Sequence, residues 1–167
     1  MPQPRGKDRK PREEPEAEFV AAYVDTFYSG ERALFRVSLG AIETELPTEE
    51  LTAEEMAILG RTRRWADCVV IRTNELVLIE GALRPALGDV STLQGYSRML
   101  KVTPELLDYR DLPIKMELVG CIYDPVVDQL CREAGIRYVT WTTPEALDYI
   151  NRLAPRFRKS PKPSGFK

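Results

Sequence analysis

Residues 65–83 read WADCVVIRTNELVLIEGAL, and no other segment of the chain constrains the architecture as strongly. Two runs rich in Val, Ile and Leu, at 66–71 and 76–83, flank a polar turn at 73–75. Short aliphatic and β-branched runs separated by a polar turn are typical of paired antiparallel strands. The segment therefore predicts a β-hairpin.

Each predicted strand of this hairpin carries one acid, Asp67 in the first and Glu80 in the second. Because side chains alternate along a strand, Asp67 is predicted to share a face with Val69, and Glu80 with Ala82 and Arg84. Two carboxylates among apolar strand residues raise each other's free energy unless something neutralises them. A hard cation such as Mg²⁺ does this well, since it binds one or two carboxylates together with waters.

The carbonyl oxygen of Gly81, between the second acid and Ala82, is in a position to act as a third metal ligand. A site of this kind polarises a phosphoryl oxygen and lowers the pKa of an attacking water. The same two acids also fit a second interpretation, in which they form salt bridges with Arg63, Arg64 or Arg84 on the strand edge.

Hydrophobic periodicity predicts the remaining elements. The expected order is a helix from Phe19 to about Ser29, a strand at 33–39, a short helix with a Thr52–Glu55 capping box, the two hairpin strands, a helix at 90–100, a strand at 118–123, a helix at 125–134, a strand at 137–141, and a last helix to about Leu153. Trp65, Trp141 and Tyr138 are interpreted as core or strand-face aromatics.

The spacing of the motif residues resembles a known family. Trp65-Ala66-Asp67, twelve intervening residues and then Glu80-Gly81-Ala82 resemble the signature of the PD-(D/E)XK nuclease superfamily. The following helix, with Gln94 and Tyr96, is similar to the helix that follows this signature in many members. The resemblance implies an α/β restriction-endonuclease-like core: a central mixed sheet of about five strands flanked by helices in αβββαβ order, plus a C-terminal strand and helix.

The resemblance also implies roles for individual residues. Asp67 and Glu80 are expected to hold Mg²⁺ or Mn²⁺, and Gln94 to orient the site or contact a phosphate. An acid on the first helix, for which Asp25 is the candidate, is expected to assist them.

The sequence departs from the family pattern at one position. The family's lysine, two residues after the glutamate, orients the attacking water, and here that residue is Ala82. Arg84 lies two residues further on and is the candidate replacement. An arginine cannot shuttle a proton, because its pKa stays above about 12.

This departure predicts a nuclease-fold protein with a degraded active site. Its predicted role is that of a non-catalytic binding or assembly component of a nucleoprotein or virion-like complex, such as a phage neck protein. The alternative is a Mg²⁺- or Mn²⁺-dependent endonuclease that hydrolyses DNA phosphodiesters with Asp67, Glu80 and Arg84. A third interpretation is a regulatory DNA-binding module.

Charge divides the chain into three predicted parts: an arm at 1–18, a nuclease-like domain at 19–153 and a tail at 154–167. The domain carries 14 Lys and Arg against 21 Asp and Glu, whereas the tail carries five bases and no acid. The arm is rich in Pro and charge and is predicted to be disordered or bound to a partner. An acidic domain is poorly suited to cover DNA tightly by itself, since phosphate neutralisation requires clustered bases.

The predicted partners are other protein chains, together with DNA. The arm at 1–18 and the tail at 154–167 are expected to bind these chains in a larger assembly or oligomer. The basic residues expected to make these contacts are Arg61, Arg63, Arg64, Arg156, Arg158 and Lys159. The sequence has no apolar run long enough for a membrane span and no signal-peptide pattern, which predicts a protein of the cytoplasm or of a virus particle. The chain contains no histidine, which excludes Ser-His-Asp, Cys-His and HNH-type chemistry within it.

Overall fold

A computed structural model describes residues 15–40, 50–55 and 64–157, the last four by their backbone alone. Its helices and strands follow the predicted order. They are α1 (Pro15–Phe27), β1 (Arg32–Leu39), β2 (Arg64–Ile71), β3 (Leu76–Ala82), α2 (Leu87–Leu100), a 3₁₀ helix (Pro104–Tyr109), β4 (Ile114–Gly120), α3 (Pro125–Glu133), β5 (Ile136–Thr140) and α4 (Pro144–Phe157).

The five strands form one sheet in the order β1-β2-β3-β4-β5. The first three strands pair antiparallel, and β3, β4 and β5 pair parallel. The hairpin turn closes where the amide of Arg72 donates to the carbonyl of Glu75 at 3.0 Å. This mixed sheet with flanking helices confirms the predicted α/β fold class.

Helices cover both faces of the sheet, because each central strand is apolar on both sides. On one face α2 and α3 bury the residues Val69, Leu78, Leu93, Leu118 and Val127. On the other face α1 and α4 bury the residues Phe19, Tyr23, Val70, Ile79 and Ile150. Continuous burial on both sides is the reason that β2 and β3 read as unbroken apolar runs next to the turn, at 68–71 and 76–79.

Strand β4 differs from its predicted bounds of 118–123: it begins at Ile114 and ends at Gly120. The charge of Glu117 obscured the strand, yet this side chain is only 3% exposed. Its carboxylate accepts hydrogen bonds from the hydroxyls of Tyr23 (2.9 Å) and Tyr28 (2.6 Å) and from the guanidinium of Arg137 (3.1 Å). These partners satisfy the buried charge, which is why an acid is tolerated there.

Helices α1 and α4 extend beyond the predicted domain bounds of 19 and 153, to Pro15 and Phe157. The capping box is confirmed: the amide of Thr52 donates to Glu55 at 2.8 Å, and the amide of Glu55 donates to the Thr52 hydroxyl at 3.2 Å.

Several predicted features lie outside the described residues. They are the N-terminal arm before Pro15, the tail after Phe157 with Arg158 and Lys159, and the loop residues Arg61 and Arg63. Over the ranges that the structure covers, each helix is too short or too polar to cross a bilayer.

Candidate metal and nucleic-acid site

Asp67 and Glu80 face each other across the hairpin. The last paired position of β2 and β3 is Cys68 with Ile79, so the two acids stand opposite each other at the next position. The amide of Asp67 donates to Glu80 Oε1 at 3.0 Å, and the amide of Gly81 donates to Asp67 Oδ2 at 2.9 Å. Each carboxylate thus binds the backbone of the opposite strand where the ladder ends, and these bonds hold both side chains in place.

The edge strand β1 is distorted next to this pair. Its ladder with β2 pairs Phe35 with Cys68 and Val37 with Ala66, but skips Arg36 and Asp67 between them. Arg36 has a φ of 51°, in the left-handed region that few residues other than glycine adopt.

The alternation of side chains along β2 is interrupted next to this distortion. Ala66, rather than Asp67, packs in the same core as Val69, and Asp67 lines a cavity beside α1. Strict alternation along β2 therefore does not hold between Ala66 and Val69, beside the point where the backbone of β1 turns at Arg36. Glu80 does follow the alternation, since Leu78 belongs to the α2-side core.

The two carboxylates interact electrostatically. Burial, followed by the charge of Asp67, raises the pKa of Glu80 to about 8. The hydrogen bond from the Asp67 amide acts in the opposite direction, and the charges of Asp89 and Glu16 raise the pKa further. Burial and the charge of Glu80 also raise the pKa of Tyr96, which places this α2 residue within electrostatic reach of the site.

The donor set fits a hard divalent cation. A carboxylate has about four acceptor positions, so the amide hydrogen bond that Glu80 accepts leaves further positions on its oxygens for a metal. A cation would lower the free energy of the charged form of Glu80, which its surroundings now oppose. Over the described residues, no group of three or more Cys, Asp and Glu side chains is arranged to hold a metal ion. A metal here would therefore depend on two carboxylates, a main-chain carbonyl such as that of Gly81, and waters.

Two acids in the first turn of α1, Glu16 and Glu18, line the cavity beside Asp67, whereas Asp25 is not among its described lining residues. Glu16 lies in the first turn of α1, lines the same cavity as Asp67 and contributes to the raised pKa of Glu80. Asp25 is nine residues further along the helix, about 14 Å away at 1.5 Å per residue. Sequence reasoning missed Glu16 because it assigned residues 1–18 to an arm.

The remaining predicted site residues lie around the end of β3. Ala82 is the last residue of the strand and is half-buried against the α2-side core. Arg84 is exposed in the bend that follows, so the strand alternation that predicted its direction does not extend to it. Gln94 is half-buried on α2, and Arg64 is exposed at the start of β2.

The cavity beside Asp67 has a volume of about 460 Å³. Its lining residues are Glu16, Ala17, Glu18, Val20, Ala21, Phe35, Arg36, Trp65, Ala66 and Asp67. Trp65 is not a core residue, since 49% of its surface is exposed. Sequence reasoning missed Phe35 and Arg36, although a charged residue within the predicted strand at 33–39 was a signal of an irregularity.

Gly81 brings α1 close to the hairpin, which gives a testable prediction. A Cβ at this position would lie 2.3 Å from the Val20 Cγ2 methyl and 3.4 Å from the Phe19 ring. We expect Gly81→Ala to lower the free energy of unfolding by about 1–3 kcal/mol, because the buried valine cannot move without repacking. Urea denaturation measures this change.

Gly88→Ala is the matched control, since no atom lies within 4 Å of a Cβ added there. It lies in α2 and is expected to be neutral or slightly stabilising. An equal loss of stability in both variants would contradict the close approach of Val20 to Gly81.

No protein-family model matches this sequence, and a search of curated proteins gave no significant match. Among solved structures, the chain is similar to a repair endonuclease from Pyrococcus abyssi, with 17% identity and a TM-score of 0.48 over 83% of this chain and 50% of that chain. It is also similar to EndoMS in a complex with dsDNA, with 15% identity and a TM-score of 0.48 over 84% of this chain and 50% of the other. The chain is likewise similar to EndoMS in the apo form, with 20% identity and a TM-score of 0.47 over 84% of this chain and 49% of that chain. The chain thus spans about half the length of these structures, and its fold class is defined by its own strand order and helix placement.

Proposed function

We propose that this chain is a Mg²⁺- or Mn²⁺-dependent nuclease domain that hydrolyses phosphodiester bonds in DNA. The observation that carries the proposal is the reciprocal arrangement of Asp67 and Glu80 at the end of the β2–β3 ladder, where the pKa of Glu80 is raised to about 8. Perturbed carboxylates beside a cavity are characteristic of functional sites.

Asp67 and Glu80 would hold the metal ion, with the carbonyl of Gly81 as a further ligand. When bound, the metal would act as a Lewis acid towards a phosphoryl oxygen and would lower the pKa of a bound water. The backbone amides of Asp67 and Gly81 position the two carboxylates in advance, so little reorganisation is needed when the metal binds.

The methyl group of Ala82 can neither orient a water nor stabilise negative charge. In this proposal an arginine supplies the positive charge near the scissile phosphate, from Arg84 after β3 or from Arg36 in the cavity beside Asp67. Either guanidinium binds an anion statically. Gln94 would orient the site or contact a phosphate from α2.

A plasmid-nicking assay tests this proposal. Purified protein is incubated with supercoiled DNA in Mg²⁺, in Mn²⁺ and in EDTA. We expect metal-dependent cleavage that disappears in Glu80→Ala and persists in Glu133→Ala, an exposed acid at the end of α3. Cleavage that survives in Glu80→Ala, or that is equal in EDTA, would exclude this site as its source.

A second candidate function is favoured by Ala82 itself. With an uncharged residue at the lysine position, the domain would serve as a non-catalytic component of a nucleoprotein or virion-like assembly, docked through segments 1–18 and 154–167. Removal of residues 1–14 and 158–167, which keeps α1 and α4 whole, would then abolish copurification with the assembly, while wild-type protein would leave plasmid DNA intact in both metals. DNA cleavage by the wild-type protein would contradict this second candidate.

A further inference from the structure

Two exposed aromatic side chains flank the candidate metal site. Trp65 on β2 is 49% exposed and Phe35 on β1 is 47% exposed, and both line the cavity of about 460 Å³ that Asp67 also lines. Aromatic surface left exposed inside a concave site is unfavourable in water and is typical of ligand-binding pockets.

The two aromatic residues stand on either side of the Arg36–Asp67 position. Phe35 pairs with Cys68, the residue after Asp67 on β2. Trp65 lies two residues before Asp67 on the same strand and pairs with Ser38. Three steps along a strand correspond to about 10 Å. The site acid thus lies between two aromatic walls, and a group held by those walls would be directly next to any metal bound at Asp67.

The other walls of the cavity suit a flat, uncharged ring. Ala17, Val20 and Ala21 of α1 contribute small apolar surfaces. Glu16 and Glu18 contribute carboxylates, and Arg36 of β1 contributes a guanidinium. Carboxylates repel a phosphate group, but they accept hydrogen bonds from the exocyclic amines of bases. The aromatic, apolar and hydrogen-bonding surfaces among the described lining residues therefore suit a nucleobase, and Arg36 is the one cation among them, beside which the phosphate joined to that base would lie.

We propose that this cavity holds an unstacked nucleobase of the strand being cut, so that single-stranded or locally unpaired DNA is the preferred substrate. The inference rests on the proposed nuclease function and specifies its substrate. In a duplex both faces of a base are stacked on neighbours, so only a base that has left the stack can lie against Trp65. Sequence-tolerant binding by base stacking is expected, with Trp65 as the main platform.

Trp65 fluorescence reports directly on this contact. The chain has two tryptophans, so Trp141→Phe leaves Trp65 as the only one. Trp141 packs against Phe19 and Tyr23 in tilted and edge-on arrangements, with 5.5 Å between ring centroids, at the α1-side core, where phenylalanine preserves an aromatic ring. The Trp141→Phe protein is titrated in EDTA with a single-stranded oligodeoxynucleotide, with its abasic counterpart and with the corresponding duplex.

We expect strong quenching by the single-stranded oligonucleotide and weak quenching by the abasic strand and by the duplex. In fluorescence anisotropy with a labelled single strand, Trp65→Ala is expected to bind about 5- to 100-fold more weakly, as the loss of one stacked base predicts. Trp65→Phe should restore most of the affinity. Phe27→Ala, which removes an aromatic ring 53% exposed at the far end of α1, should change the affinity less than about 2-fold.

The outcomes separate this inference from the proposed function. Equal quenching by the abasic strand, or wild-type affinity in Trp65→Ala, would overturn the base pocket even if Glu80-dependent cleavage is observed. Base-dependent quenching by a protein that cleaves no DNA would support the pocket and contradict the nuclease assignment. Because the titration is made in EDTA, its result does not depend on catalysis.

Discussion

Ala82→Lys is expected to increase the rate of metal-dependent DNA cleavage by about 100-fold. Position 82 ends β3 and is two residues from Glu80, so an ammonium there would lie beside the metal site and stabilise negative charge developing on the phosphate. Electrostatic stabilisation of this kind typically contributes two or more orders of magnitude in rate. The measurement is the initial rate of plasmid nicking at saturating Mn²⁺.

Ala82→Met is the control, because methionine adds comparable length without charge. It separates the effect of the ammonium from the effect of filling space against the α2-side core. If Ala82→Lys and Ala82→Met have the same rate as the wild-type protein, then the end of β3 does not face the reacting phosphate. In that case the match between residue 82 and the family's lysine is wrong.

Glu80→Gln is expected to stabilise the metal-free protein more at pH 9 than at pH 5. The change that it makes in the free energy of unfolding should be about 4 kcal/mol more favourable at pH 9. The pKa of Glu80 is about 8 in the folded chain against an ordinary value of 4.5, so between these values the folded state binds more protons than the unfolded state. The free energy of unfolding of the wild-type protein therefore falls as pH rises from about 4.5 to about 8. A glutamine does not titrate and abolishes this dependence.

Urea denaturation across this pH range measures the effect, and Glu133→Gln is the control at an exposed position. Mn²⁺ provides a second comparison. The proposed metal would bind the charged carboxylate, so we expect it to restore stability to the wild-type protein at pH 9, by about 2.7 kcal/mol at 100 times its dissociation constant. It should not stabilise Glu80→Gln. An identical pH dependence in the two proteins would show that Glu80 is not the group responsible.

The hairpin and its two acids were predictable because their signals are local. An aliphatic run, a polar turn and a second aliphatic run specify paired strands whatever the rest of the chain does. The acids Asp67 and Glu80 then fall opposite each other, since antiparallel pairing about the turn fixes the register. Their hydrogen bonds to each other's strands need no contribution from distant residues.

Strand β4 and the start of α1 were predicted less well because their stability depends on distant contacts. Glu117 reads as a surface residue until Tyr23, Tyr28 and Arg137 are placed around it. In the sequence, Glu16 looks like part of a Pro-rich charged arm. In the structure, Phe19, three residues later, packs on the sheet, and the helix that carries both residues begins at Pro15.

Periodicity and composition were sufficient to establish an α/β domain, its strand order along the chain and the pairing of Asp67 with Glu80. The break in the alternation of β2 beside Asp67 was not accessible in the same way, because it accompanies the positive φ of Arg36 in a neighbouring strand. The exposure of Trp65 likewise depends on where α1 lies over the sheet. Alternation along a strand is a property of the local backbone. A distortion shared with a neighbouring strand arises only when the strands pair, and the surface that a helix leaves uncovered is decided only when the helix packs on the sheet.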